Sequence, residues 1–413
     1  MNKILKLGGI LICGILLAVS GLFLVYGLPT EYMREHVQET IDVFMEEGEN
    51  PFLIENYKGS SLDNFTDAIM LGSAVYDDNE PFWSNAMKVP RAAGVQGKPM
   101  ESLEQYLHDG NTTEKSEYAR YWHGYLLVLK PLLLFLNYMQ IRILNGCLQI
   151  GLLIWICFEF VRRKLKRSMV SFVIAVLGMF PVVFPCSLQF SNVFYVGNIA
   201  VLLILRKHEK WMQEEKYLPF FLIIGMCTSF FDLLTYPLYT FGMPIILYIV
   251  LTQGTELRER FFFILKNGIA WMTGYVFMWM GKWLAGSLIT GENLWINALE
   301  TVAVRVSGEV YGDDPWRIMS VLRNGYIFFN KAGIFMIIIL AVWIGVCVWK
   351  SHGKIDRDSA ALLGLIACLP IVWYLAAFNH SYAHYWYTFR LLAVSIFAAA
   401  MITECMQGKA KGL

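Results

Sequence analysis

Apolar residues along this chain come in long unbroken runs rather than in the amphipathic stripes of a soluble domain. A hydrocarbon core needs roughly 20 apolar residues per crossing helix, with backbone polar groups paired inside the segment. On that count the runs Ile4–Tyr26, Tyr138–Phe160, Met169–Leu188, Phe194–Leu205, Tyr217–Leu234, Pro237–Leu251, Gly268–Leu288, Ala332–Trp349, Ala360–Phe378 and Phe389–Met406 predict ten spans, two of them short. The stretch Tyr121–Leu136 is also apolar but is interrupted at Lys130-Pro131, and a crossing there would invert every later loop. It is read as an interfacial or re-entrant helix feeding the second span. The first run resembles a secretory signal, yet it is long enough to span and Gly27-Leu28-Pro29 is a poor cleavage site, so it is expected to stay as a helix.

The polar intervals orient the spans. Basic clusters recur at alternate ends: Lys3/Lys6, Arg162–Arg167, Arg206/Lys207/Lys210, Arg258/Arg260/Lys266, Lys350/Lys354/Arg357 and Lys409/Lys411. Placing all six in the cytoplasm satisfies the positive-inside rule, agrees with an even number of spans and puts both termini inside. Residues 28–137 and 289–331 then form extracytoplasmic loops of a single transmembrane domain. Between Leu28 and Arg120 eighteen Asp and Glu stand against seven Lys and Arg, so the first loop is strongly acidic. Within it, Met33, Val37, Ile41 and Phe44 recur at helical spacing, which predicts a helix lying on the membrane surface.

Composition agrees. The chain of 413 residues is 56% hydrophobic and only 16% charged, with a mean hydropathy of +0.48, values that belong in lipid. A net charge of +1 gives no reason to expect nucleic acid. All eight cysteines lie in or beside apolar runs and none in the acidic loop, so neither a disulfide framework nor a thiolate metal cluster is expected.

Four polar groups carry candidate chemistry. Asp63 and Asp67 sit four residues apart, on one face if helical; such a pair supplies a general base, holds a divalent cation, or both. The alternative is that Ser60 caps a helix with Asp63 completing a capping box. Asn64-Phe65-Thr66 is also a glycosylation acceptor sequence. Arg120 and His123, among Tyr118, Tyr121, Trp122 and Tyr125, form either an aromatic belt with snorkelling bases or a phosphate-binding lip. His380 and His384 share a helical face, but no Glu follows His380 as a zincin motif demands, which ranks metal ligation below a structural hydrogen bond or a phosphate contact. Arg390 enters the last span, where a lone charge needs a partner or a polar cavity. Asp232 either caps the turn before Pro237 or pairs with Arg390 or Lys282.

This arrangement resembles the GT-C class of membrane glycosyltransferases: a large first external loop with surface helices and acids, a basic-aromatic lip before span two, and basic or His residues in later external loops. The departure is that acids close behind the first helix begin at Glu31, with Asp63 and Asp67 later. The resemblance implies an all-α, polytopic fold and transfer of a sugar from a polyprenyl-phosphate donor to a glycan or lipid acceptor of the cell envelope, with membrane lipids as further partners. Asp67 is then the expected base with Asp63 as helper. Arg120, His123, His380, His384 and Arg390, with Asp232 nearby, form the expected substrate-binding set, and a divalent cation is left open as a cofactor. The competing class is a lipid or solute transporter or flippase of the envelope, which needs no base but tends to show repeated halves and interrupted helices; no internal repeat is evident.

Overall fold

A computed structural model of the protein describes residues 3–110, 114–310, 315–350 and 356–405. Lys354, Lys409, Lys411 and the expected span end Met406 lie outside them. The described chain is all-α apart from a short ribbon in which Pro90–Ala92 pairs antiparallel with Lys115–Glu117.

Seven of the described helices are long and apolar enough to cross a membrane: Ile4–Tyr26, Tyr138–Arg162, Leu188–Gln213, Leu257–Thr290, Lys331–Trp349, Arg357–Ala376 and Tyr385–Cys405. Their outward faces expose large apolar side chains, among them Leu17 and Leu24 on the first, Ile154 and Phe158 on the second, and Phe335 and Val342 on the fifth. Apolar surface on this scale has no place against water and fits a lipid belt. Tyr217–Phe231 and Tyr239–Leu251 are shorter apolar helices. The second of these has twelve buried residues and forms the centre of the bundle.

Of the expected boundaries that move, two do so for a plain local reason. Met169–Leu188 is not one segment: its helix runs Lys166–Gly178, and Leu188 already opens the next. Pro181 and Pro185 fall in the break, and proline both lacks a donor and disfavours helix at the residue before it. Phe180 there adopts a left-handed conformation. Conversely, Phe194–Leu205 is the middle of the 26-residue helix Leu188–Gln213. Gln189, Ser191 and Asn198 are buried against neighbouring helices, so a hydropathy count cuts short a helix that packing extends.

The basic clusters gather at one end of the bundle. Arg163 pairs with Glu209 across two helices at 2.6 Å, and Glu159 lies between Arg162 and Arg206. Arg260 donates to Ser359 at 2.7 Å. Ser168 donates to Glu404 at 2.9 Å, which brings the last helix to that same end. The described residues of 28–137 collect at the opposite end as a packed helical cap. Its first two helices, Glu31–Gln38 and Ile41–Glu47, break at Thr40. Met33, Val37, Ile41 and Phe44 are all buried in the main core, with Phe44 edge-on to Tyr138. The helical stripe therefore exists, but it faces protein instead of the membrane surface. Leu126–Leu133 makes only about two turns, roughly 12 Å, too short to cross.

Candidate functional site

Helix Asn64–Val75 organises this end of the molecule, and it is capped at both ends. Asp63 is the N-cap: its Oδ1 accepts from the Thr66 amide at 3.0 Å, and its backbone amide donates to Ser187 Oγ at 2.9 Å. Ser60 does not cap; its hydroxyl donates to the Tyr57 carbonyl at 2.7 Å. At the far end the buried Lys130 ammonium donates to the Ala74 carbonyl at 2.6 Å, a cation at the negative pole of the helix. Asn64 is fully buried, with its amide donating to Glu47 and Gly48, so its acceptor sequence is closed to any glycan.

The two carboxylates face different surroundings. Asp67 accepts from the Leu188 amide on both oxygens, at 2.9 and 3.0 Å, and from the Tyr138 hydroxyl. It thus ties the helix to two spans and caps Leu188–Gln213. Burial pushes its pKa up to about 7 against those hydrogen bonds and the nearby Arg142 charge. Arg142, which sequence reading passed over, lies in the second span and pairs with Glu47 at 2.7 Å and with Asn64 at 2.9 Å. Asp63, by contrast, lines a cavity of about 460 Å³. Gln189 donates to its second oxygen. Burial raises its pKa to about 6, held down in part by the Thr66 bond and the Arg390 charge.

That cavity draws on six distant stretches of chain. With Asp63 and Gln189 it is lined by Lys58, Tyr118, Arg305, His380, His384, Trp386 and Tyr387. His380 and His384 do share a face, with ring centroids 4.9 Å apart. His380 donates through Nε2 to the Leu234 carbonyl at 2.6 Å, while its Nδ1 is buried without a partner. Arg305 Nη1 lies 3.2 Å from His384 Nε2; a guanidinium only donates, so this nitrogen accepts and the ring is neutral. Burial, with Arg305 beside it, lowers the His384 pKa to about 4. Burial also takes His380 well below its ordinary value, helped by His384 and Arg305. The cations of the cavity are Lys58 and Arg305, not the histidines. Among the described residues no three His, Cys, Asp or Glu side chains gather to hold a metal ion.

The other sequence candidates do not themselves line the cavity. His123 is buried; its Nε2 donates to the Tyr118 carbonyl at 2.8 Å and its Nδ1 accepts from Tyr125 at 2.9 Å. Burial lowers its pKa to about 3, so it is a neutral structural ring. Arg120 stacks on Tyr118 at 4.4 Å. Asp232 caps its turn, accepting from the Thr235 amide at 2.8 Å and hydroxyl at 2.6 Å, and burial lifts its pKa to about 6. It forms no ion pair with Lys282, which donates to the Met87 carbonyl at 2.9 Å, nor with Arg390. Arg390 is fully buried behind the cavity, donating to the Gly59 carbonyl at 3.1 Å and stacked on Phe190.

Sequence reading missed Lys58, Gln189 and Arg305. Arg305 ends the helix Leu294–Val306, whose Ile296, Leu299 and Val302 are exposed; a lone base closing that three-residue apolar series was the available signal. Gln189 was hidden at the start of a span. No protein-family model, curated protein or solved structure matches the chain.

Proposed function

We propose that the chain is a membrane glycosyltransferase of GT-C-like architecture, moving a sugar from a polyprenyl-phosphate donor to a hydroxyl of a cell-envelope glycan or lipid. One observation carries this reading. A buried carboxylate, Asp63, shares a cavity with Arg305, Lys58 and three aromatic side chains, Tyr118, Trp386 and Tyr387, at the end of the bundle away from the basic clusters. In this reading the seven long helices, with Lys166–Gly178, Tyr217–Phe231 and Tyr239–Leu251, make ten crossings. The basic end faces the cytoplasm and the cavity opens at the extracytoplasmic boundary.

In the reaction, the acceptor oxygen attacks the anomeric carbon and its proton passes to Asp63. The bond from that carbon to the phosphate oxygen breaks, and its electron pair leaves with the lipid phosphate. Arg305 and Lys58 meet that charge, where donors fixed in advance act most strongly. The base moves from Asp67 to Asp63 because only Asp63 lines the cavity, while both Asp67 oxygens serve the fold. Tyr118 and Trp386 offer the flat apolar faces on which a sugar ring packs. Neutral His380 and His384 orient Arg305 and the cavity wall.

Mass spectrometry of envelope glycans with and without the gene tests the reading: loss of a defined sugar supports it, and an unchanged glycan profile with altered lipid distribution favours a transporter. Arg305→Gln is expected to lower turnover about tenfold, less than the ~10²–10³ typical of a fully enclosed oxyanion donor because Lys58 shares the charge. Steady-state transfer from a polyprenyl-phosphate sugar in nanodiscs measures this, and full activity would remove Arg305 from the phosphate site. For orientation, a cysteine placed at the exposed His108 should react with an impermeant reagent in intact cells once native cysteines are replaced. One at the exposed Lys207 should react only after permeabilisation. The reverse pattern would overturn the topology.

A further inference from the structure

Between the long helix Leu257–Thr290 and the span Lys331–Trp349, the described residues include two short helices, Leu294–Val306 and Ile318–Tyr326. Their polarity is reversed relative to a loop in water. On Ile318–Tyr326 the buried residues are Ser320 and Asn324, whereas Ile318, Met319, Leu322 and Tyr326 are exposed. Ser320 donates to the Tyr374 carbonyl at 2.9 Å. Asn324 donates to the Ser381 carbonyl at 2.9 Å and accepts from the Thr388 hydroxyl at 2.7 Å. Arg323 turns inward as well, its guanidinium 4.2 Å from the Tyr382 ring and 4.3 Å from the Tyr385 ring. Water selects the opposite arrangement, with polar groups outward and apolar groups packed.

Leu294–Val306 divides three ways. At about 100° per residue, Leu294, Ala298 and Arg305 fall together on the side that meets protein. Ile296, Leu299, Val302 and Val306 form an exposed apolar flank beside it, and exposed Asn297 and Glu300 lie on the other flank, with Val304 as an apolar exception. A helix with a protein side, an apolar side and a polar side lies along a bilayer surface. Arg317 ties the pair together, donating to the Val306 carbonyl at 3.2 Å and to the Leu375 carbonyl at 3.0 Å.

The chain sets their depth. Only residues 291–293 and 327–330 separate them from the two long helices, and at up to ~3.5 Å per residue neither can stand far from the membrane boundary. Exposed Phe329 carries the apolar surface from Tyr326 on to Ile334 and Phe335 of the span. In the cap, Phe52, Leu53 and Ile54 are also exposed in succession.

We infer that the two helices, with Phe52, Leu53 and Ile54, form a surface seated in the bilayer, and that their partner is the acyl region of phospholipids in the leaflet at the cap end. Phe52 and Arg305 both line the Asp63 cavity, so this surface brings the leaflet to the cavity rim. The inference concerns where lipid lies and holds whichever reaction the cavity performs.

The test places single spin labels at Leu299, Leu322 and Glu300 of the full-length protein in phospholipid nanodiscs, with native cysteines replaced. Exposed Leu17 on the first span and exposed His108 in the cap serve as references. Oxygen concentrates in hydrocarbon, and a water-soluble nickel chelate is excluded from it. The ratio of oxygen to nickel collisions at Leu299 and Leu322 should match that at Leu17, and Glu300 should shift toward His108. Ratios at Leu299 and Leu322 equal to that at His108 would overturn the inference. So would labels shielded from both reagents, which would mean that a second copy of the chain covers the face. On the unmodified protein, a phospholipid carrying a diazirine in its acyl chain should label Leu294–Val306 and Ile318–Tyr326 as heavily as Lys331–Trp349; absence of that label would overturn the inference without any substitution. Neither measurement reads sugar transfer, so failure here leaves the proposed reaction to its own tests.

Discussion

Asp63→Asn is expected to cut sugar transfer by about 10²–10⁴-fold, the usual contribution of a general base, while leaving the protein folded. Folding should survive because Asn caps a helix as well as Asp does, so the bond from the Thr66 amide persists. What disappears is the capacity to take a proton. The pH profile separates this from a structural effect. Burial raises the Asp63 pKa to about 6, and only the ionised form can act as base. Parent turnover should therefore be level above roughly pH 7 and fall about tenfold per unit below pH 6, and the residual activity of Asp63→Asn should lack that acidic limb. Asp67→Asn should behave differently. It replaces a carboxylate that holds the Leu188 amide and the Tyr138 hydroxyl, so folded yield should fall first. A well-folded Asp67→Asn protein with no activity, beside an active Asp63→Asn, would return the role of base to Asp67.

The division of labour between these two acids shows where the sequence stopped being legible. That the pair opens a helix could be read from Ser60 to Leu71, but which acid meets the cavity depends on Ser187, Leu188 and Gln189, over 120 residues away. Local spacing says that two side chains share a face and nothing about what packs on it. The same holds for the histidines. Their shared face was visible from four-residue spacing, whereas their neutrality comes from burial and from Arg305. The lipid-facing helices were legible because hydropathy acts one segment at a time. Helix Leu188–Gln213 was cut short for the converse reason: its buried polar residues are satisfied by tertiary contacts such as Asn145 to Ser191 at 2.8 Å. The stripe Met33, Val37, Ile41, Phe44 had the right period, but periodicity cannot tell protein from lipid as the apolar partner.

The largest effect on stability is expected where Tyr217–Phe231 packs along Leu257–Thr290. The two helices approach so closely that a Cβ at Gly225 would collide with the Trp271 carbonyl, and one at Gly274 with the Leu222 carbonyl. The contacts are reciprocal, each glycine lying on the other helix's backbone. In lipid, where apolar burial does not drive association, such small-residue contacts let dispersion and backbone proximity hold helices together. The obstacle here is main chain, not a flexible side chain, so neither helix can yield without moving as a whole. Gly225→Val and Gly274→Val should each destabilise the purified protein by at least ~3 kcal/mol, the upper end of overpacking costs. Because the long helix also places Lys282 against Met87 under the cap, transfer activity should fall with stability. Gly151→Ala is the control: it sits in the second span with nothing within 4 Å of its would-be Cβ, and should be neutral or stabilise by up to ~1 kcal/mol through helix propensity. Thermal unfolding in one detergent, run on all four proteins, measures the difference. Parent-like melting of both valine variants would mean that the two helices do not pack backbone to backbone, and the position of Lys282 beneath the cap would lose its support.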